Sequence, residues 1–106
     1  MFYIILFTFY FIQFLKMNVQ ILTPEKVILN AEVESIQLPG IEGQFQILNN
    51  HTAIISSLKK GEIFLKSKTD ISSKDISKNE TNNSFKYEIK GGVLEFNNNK
   101  AIILCD

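Results

Sequence analysis

From Met17 onward the chain alternates short apolar runs with turn residues, and no segment keeps a 3.6-residue period. The runs are four to eight residues long and rich in β-branched and aromatic residues, which is typical of strands in a sandwich or barrel. The clearest alternation lies in residues 85–90, where Phe85, Tyr87 and Ile89 are predicted to face inward. The pattern therefore predicts an all-β domain.

Turn residues lie between these runs and predict where strands end. Thr23-Pro24-Glu25-Lys26 is a turn sequence, because proline sets φ at the second turn position. Leu38-Pro39-Gly40-Ile41 fits a type II turn, with glycine at the position where φ must be positive. Asn97-Asn98-Asn99-Lys100 is predicted to close a hairpin, because asparagine tolerates the left-handed conformation that such a turn needs.

The sequence also predicts local structure at three further places in the chain. Val33 and Ile36 should both face inward, which breaks strict alternation, so we expect a β-bulge or a strand break near residues 34–35. Gly91-Gly92 interrupts the pattern and indicates either a bulge or a place where another backbone comes close. Cys105 lies in the last strand and is expected to be a small core residue.

Residues 67–84 form a low-complexity stretch of mostly Ser, Thr, Lys, Asp and Asn. Ile71 and Ile76 are its apolar members, too few to offset the entropy of ordering the stretch. We interpret residues 67–84 as a long flexible loop inserted in the domain.

The first sixteen residues differ from the rest, because 13 of them are apolar. A membrane span needs about 20 apolar residues, and residues 2–15 are too few. A signal peptide needs a basic start and small residues at a cleavage site, and neither is present. We favour a third interpretation, in which translation starts at Met17, residues 1–16 are not part of the fold and the domain comprises residues 17–106; a membrane anchor and a signal peptide are the alternatives.

Composition excludes several classes of protein. The 106 residues allow one domain, and the formal net charge of zero argues against a nucleic-acid-binding protein. The chain has no arginine, which removes the usual bidentate clamp for phosphates and carboxylates. One cysteine and one histidine are too few for an internal disulfide or a zinc site.

Catalytic residues are also scarce. His51 is the sole histidine and the one candidate base, and no serine lies in a Gly-x-Ser-x-Gly elbow. We therefore expect no catalytic site, metal or cofactor; a small hydrolase that uses His51 as its base is the alternative from the enzyme class.

Several short motifs follow one another in a fixed order along the chain: Leu22-Thr23-Pro24-Glu25-Lys26, Leu38-Pro39-Gly40-x-Glu42-Gly43, Ile47-Leu48, His51, Leu58-x-x-Gly61, Gly91-Gly92-Val93-x-Glu95 and Asn98-Asn99-Lys100. Their order and spacing resemble those of the epsilon subunit of F-type rotary ATP synthases, over residues 17–66 and 85–106. The resemblance implies a flattened β-sandwich of about ten strands. It also implies a non-catalytic rotor subunit that binds the gamma subunit and the ring of c subunits, and so couples proton translocation to ATP synthesis.

The resemblance assigns residues to these two contacts. The loop of Gly40, Ile41, Glu42, Gly43 and Gln44 matches the one that meets the c-ring, and Thr23, His51 and Ser56 match the gamma-facing surface. The family commonly has an acid where this chain has Gln44, which leaves Glu42 as the acid of the loop.

The resemblance also implies a location and a difference from other members. We expect a peripheral subunit at the cytoplasmic face of the bacterial plasma membrane, which is not a homo-oligomer and binds no nucleic acid. Many members continue into two C-terminal helices that brake ATP hydrolysis; this sequence ends at Asp106, and we expect no such helices and no such brake. A membrane-tethered or exported β-sandwich binding module is the alternative if residues 1–16 belong to the protein.

Overall fold

The computed structural model describes residues 16–67, 71, 76–78 and 84–106, and every regular element in this part is a β-strand. The ten strands are β1 (Met17–Leu22), β2 (Val27–Val33), β3 (Ser35–Gly40), β4 (Gly43–Leu48), β5 (Ile54–Leu58), β6 (Gly61–Lys66), β7 (Ser77–Lys78), β8 (Ser84–Ile89), β9 (Gly92–Asn97) and β10 (Lys100–Cys105). The prediction of an all-β domain of about ten short strands is confirmed. Among the residues described, no helix has the length and apolarity needed to cross a membrane.

The strands form one hydrogen-bonded path in the order β2-β1-β10-β9-β5-β3-β6-β8-β7, with β4 added to β3. The β1–β10 pair is parallel, and the other described pairs are antiparallel. One edge of β3 pairs first with β6 and then, at Gly40 and Leu58, with β5. The path therefore turns at the β5–β6 connection, and its two halves enclose one core as in a flattened sandwich.

Inward-facing side chains from both halves of the path form this core. Leu94 and Phe96 of β9 and Ile63 and Leu65 of β6 are completely buried, and in each strand the buried positions are two residues apart. On β8, Phe85 and Ile89 are buried and Tyr87 is half-buried, so the predicted inward face is confirmed. At about 25 cal/mol per Å² of apolar area, this burial is the main stabilising contribution to the fold.

The irregularity expected near residues 34–35 is a strand break. Strand β2 ends at Val33, β3 begins at Ser35, and the Glu34 amide donates instead to the Lys66 carbonyl at 2.8 Å. The break lets Val33 and Ile36 both face inward, and both are buried.

Two of the three predicted turns lie where the sequence placed them. The Thr23 amide donates to the Lys26 carbonyl at 3.0 Å, and the Lys26 amide donates to the Thr23 hydroxyl at 3.2 Å, which closes the β1–β2 connection. Asn98 and Asn99 have φ of 51° and 59°, as a two-residue hairpin between β9 and β10 requires.

The type II turn predicted at Leu38-Pro39-Gly40-Ile41 is wrong. Leu38, Pro39 and Gly40 belong to β3, and Gly40 is paired with Gly43. The connection consists of Ile41 and Glu42, two residues beyond the predicted centre. Pro39 fits this strand because it lies where β3 changes partner between β5 and β6, and its carbonyl accepts a hydrogen bond from the Lys59 amide at 2.9 Å.

The structure describes Ser67, Ile71 and residues 76–78 and 84 of the stretch interpreted as a flexible loop. Ile76 is buried, Ile71 packs against the core, and Ser77–Lys78 forms the short strand β7 on the edge of β8. These residues contact the body of the domain. The expectation that residues 1–16 lie outside the fold does not hold for Lys16, because its carbonyl accepts a hydrogen bond from Asn99 Nδ2 at 2.9 Å. The expectations for the remainder of residues 67–84 and for residues 1–15 lie outside the described residues.

Candidate functional site

The tip of the β3–β4 hairpin consists of Ile41 and Glu42, and both side chains are exposed. The glycines on either side allow a compact tip. A β-carbon on Gly40 would lie 2.8 Å from both the Gly43 carbonyl oxygen and the ring of Phe45, and Gly43 has φ of 136°, a conformation that L-residues rarely adopt. The sequence therefore places one apolar and one acidic side chain at the end of a short hairpin.

A groove of about 550 Å³ lies between this hairpin and strand β5. Gln44 and Phe45 line one side, and Ile55, Ser56 and Ser57 line the other. Ser56 is half-buried, with its hydroxyl 3.3 Å from the Ser57 carbonyl, whereas Ile55 is 75% exposed. The structure thus brings Ser56, predicted to face gamma, next to the loop predicted to meet the c-ring.

Thr23 lies in the turn after β1 and is half-buried. Its hydroxyl is 3.2 Å from both the carbonyl oxygen and the backbone amide nitrogen of Lys26, so its one donor and one of its two acceptor positions are used within the turn. This local role is sufficient to explain a threonine at this position.

His51 lies in an exposed loop between β4 and β5. Its amide donates to the Leu48 carbonyl at 3.2 Å, and its Nδ1 is 2.8 Å from the Thr52 carbonyl oxygen. The imidazole meets the ring of Phe96 edge-on, with centroids 6.2 Å apart and an interplanar angle of 78°. The imidazole therefore packs against Phe96, and the His51 side chain remains accessible.

The three residues predicted to face gamma do not form one cluster. Thr23 follows the end of β1 that pairs with Leu104, whereas the residue before His51 contacts Asn99 at the opposite end of β10. Ser56 is on β5, which β10 and β9 separate from β1. A single partner that contacts all three would have to extend along the strands and across this half of the sheet.

Sequence reasoning missed a row of exposed apolar side chains on the outer face of the sheet. Val27, Leu22, Leu104 and Val93 are successive cross-strand neighbours on β2, β1, β10 and β9. Val27, Leu104 and Val93 are 62%, 54% and 43% exposed, whereas Leu22 between them is half-buried, and Ile55 lies on the adjoining strand. The consecutive apolar residues in β5, β9 and β10 are the signal, because strict alternation leaves only one face apolar. Contiguous exposed apolar surface is typical of interaction sites.

The described residues contain no group of three His, Cys, Asp or Glu side chains placed to hold a metal ion. Cys105 is buried, as predicted, with its Sγ 3.6 Å from the Leu22 carbonyl oxygen. Burial, and secondarily the negative charge of Asp106, raises the pKa of the Cys105 thiol above its ordinary value of 9.0. The thiol is thus kept neutral, in the form expected of a packing residue.

These features define an all-β domain with an exposed hairpin and apolar side chains on its outer face. The family model of the ATP synthase delta/epsilon chain β-sandwich domain matches residues 16–106. The chain belongs to this family, and the resemblance inferred from the motifs is confirmed.

Comparison with individual relatives agrees with this family assignment. The chain is 34% identical over 89 residues to the ATP synthase epsilon chain of Chlorobium limicola, covering 84% of this chain and 88% of that one. It is 33% identical over 91 residues to the epsilon chain of Maridesulfovibrio salexigens, covering 86% of this chain and 55% of that one. A chain in the mitochondrial ATP synthase assembly of OSCP, F1 and c-ring from Euglena gracilis has the same fold, with a TM-score of 0.69 at 18% identity, covering 86% of this chain and 51% of that one.

Proposed function

We propose that this protein is a non-catalytic rotor subunit of an F-type ATP synthase, which binds the gamma subunit and the c-ring and so couples proton translocation to ATP synthesis. The observation that carries the proposal is the family match over residues 16–106, together with an all-β fold in the same residues. The bacterial relatives support a location at the cytoplasmic face of the plasma membrane, as a peripheral part of the complex.

The fold suits a subunit that transmits torque. Its strands are cross-linked along one continuous hydrogen-bonded path, and the completely buried side chains of both halves interdigitate in one core. Closely packed interiors have low compressibility and transmit strain. A domain of this kind moves as one body when neighbouring subunits act on it.

We assign contact with the c-ring to Gly40, Ile41, Glu42, Gly43 and Gln44. In this loop, Ile41 is 61% exposed and Glu42 offers a carboxylate at the tip of a short hairpin. Gly40 and Gly43 keep the tip compact, so that its apolar and acidic groups project together. This geometry supports a small contact in which Ile41 is buried and Glu42 pairs with a polar or basic group.

We assign contact with gamma to Thr23, His51 and Ser56. Because they lie at separate places on one half of the sheet, the proposal requires an extended partner surface. The exposed apolar row beside Thr23 supports a covered outer face, because a partner that spans these residues would remove it from water.

The direct test is binding of the full chain to purified gamma and to purified c-rings from the same organism, each measured separately and then together. We expect the chain to bind gamma, and the gamma complex to retain c-rings better with the chain than without it. The native enzyme provides the second measurement, because the chain should co-purify with gamma and c subunits. Absence of the chain from intact native rotors, or turnover of a substrate by the chain alone, would contradict the proposal.

A further inference from the structure

Asn99 lies in the β9–β10 turn, and its side chain joins three segments of the protein. Its Oδ1 accepts a hydrogen bond from the backbone amide of Asn50 at 2.8 Å. Its Nδ2 donates to the Lys16 carbonyl at 2.9 Å and to Asn49 Oδ1 at 2.6 Å. Its own carbonyl accepts from the Asn18 amide at 3.1 Å. Because these partners are distant in sequence, the contacts form only when the start of β1, the β4–β5 connection and the β9–β10 turn have come together.

The segment that Asn99 contacts is the loop of residues 49–53, here called the His51 loop. Asn50 has φ of 66°, a left-handed conformation that asparagine tolerates better than most residues but that a hydrogen bond to its backbone can help to hold. The hydrogen bond from the Asn50 amide to Asn99 supplies such support one residue before His51. The backbone direction at Asn50 in turn sets where the His51 imidazole lies against Phe96.

We propose that Asn99 is a positioning residue for the His51 loop, which holds the loop in the conformation in which His51 contacts gamma. The inference rests on the function proposed above. Asn99 does not itself contact the partner in this proposal; it removes the need to order the loop when the partner binds, and preorganisation of this kind strengthens association.

The neighbouring asparagine offers a matched control. Asn98 and Asn99 both have positive φ, and both occupy the same two-residue turn. Asn98 is exposed, whereas Asn99 is half-buried among its partners. Glycine adopts positive φ readily, so Asn98→Gly and Asn99→Gly both preserve the turn, and only the second removes the side chain that contacts the His51 loop.

The experiment measures the affinity of full-length variants for purified gamma from the same organism. We expect Asn99→Gly to bind about tenfold more weakly than the wild type, as when the free energy of about one hydrogen bond must be supplied at binding. Asn98→Gly should bind as the wild type does.

Hydrogen exchange of the backbone amide of Asn50 in the free chain provides a readout that does not depend on gamma. We expect this amide to exchange faster in Asn99→Gly, by about tenfold or more, and to be unchanged in Asn98→Gly. Amides in the core strands β6 and β9 should be unchanged in both variants, which separates a local effect on the loop from general destabilisation.

The two proposals fail in different ways. If Asn99→Gly binds gamma as Asn98→Gly does while His51→Ala binds more weakly, the positioning role of Asn99 is wrong and the proposed function stands. If the wild-type chain does not bind gamma, the proposed function is wrong, and the inference falls with it. Unchanged exchange of the Asn50 amide in Asn99→Gly would also overturn the positioning role.

Discussion

Gly92 of β9 lies opposite Cys105 of β10, so close that a β-carbon on Gly92 would overlap the Leu104 carbonyl oxygen and lie 3.1 Å from Cys105 Cα. The sequence left two explanations for Gly91-Gly92, and the close approach of another backbone is confirmed at Gly92. A glycine is needed there because the contact is with backbone, which cannot rotate away as a side chain can.

The contact predicts a large effect of Gly92→Ala. The added methyl group forces β9 and β10 apart, and overpacking of this kind costs about 1–3 kcal/mol in unfolding free energy. Chemical denaturation of the full chain measures it. Glu95→Ala, at an exposed position of the same strand, is the control and should change stability by less than about 0.5 kcal/mol. Equal stability of the two variants would contradict the close approach.

Ile76 provides a second test, because the low-complexity stretch that contains it was interpreted as a flexible loop. Ile76 is buried against the core, so Ile76→Ala should destabilise the domain by about 2 kcal/mol or more. Ser77→Ala, at an exposed position of β7, is the control. Unchanged stability of Ile76→Ala would indicate that Ile76 adds nothing to the core. For the stretch of residues 67–84, we expect a deletion confined to residues 79–83 to preserve gamma binding.

Whether a turn could be predicted from the sequence depends on whether its own residues determine its position. Asn98 and Asn99 determine their hairpin locally, because few residues adopt two successive positive φ values, and this turn could be predicted. The sequence around Pro39 and Gly40 has equally good local turn chemistry, yet pairing with β4 places the turn two residues later. Register with a neighbouring strand is a non-local property, and turn preferences do not contain it.

The candidate site shows the same division between local and non-local information. The loop that contains Glu42 was found from its motif, whereas the register that places Ile41 and Glu42 at the hairpin tip depends on the pairing of β3 with β4. The apolar row from Val27 to Val93 depends on four strands that meet only in the folded sheet, and the contacts of Asn99 join residues up to 83 positions apart. No window of sequence contains these relationships, although the consecutive apolar residues in β9 and β10 signal an apolar outer face.

Glu42 allows a charge-specific test of the proposed c-ring contact. Glu42 is exposed at the hairpin tip, so Glu42→Gln removes a charge with little change in shape. Exposed ion pairs contribute little and are screened by salt, so we expect an affinity loss of about two- to fivefold at low ionic strength that disappears near 1 M salt. Affinity for c-rings should be measured across this range, with Glu88→Gln on β8 as the control. An equal loss in both variants would argue against a specific role for Glu42.

The pH dependence of stability tests the burial of Cys105. Burial raises the pKa of the folded-state thiol above its ordinary value of 9.0, so the unfolded chain loses this proton at a lower pH than the folded chain does. The stability that the neutral thiol contributes is therefore fully present below pH 9 and is lost as the pH rises through the folded-state pKa.

Lysines also titrate at high pH, and for this reason the comparison is with Cys105→Ser, which does not ionise but keeps a hydrogen-bond donor for the Leu22 carbonyl. We expect the difference in unfolding free energy between wild type and variant to be constant from pH 7 to pH 8.5 and to shift against the wild type above pH 9. A difference that stays constant up to pH 10.5 would mean that the thiol ionises equally easily in the folded and unfolded chains, and that the contact with β1 does not exclude water from it.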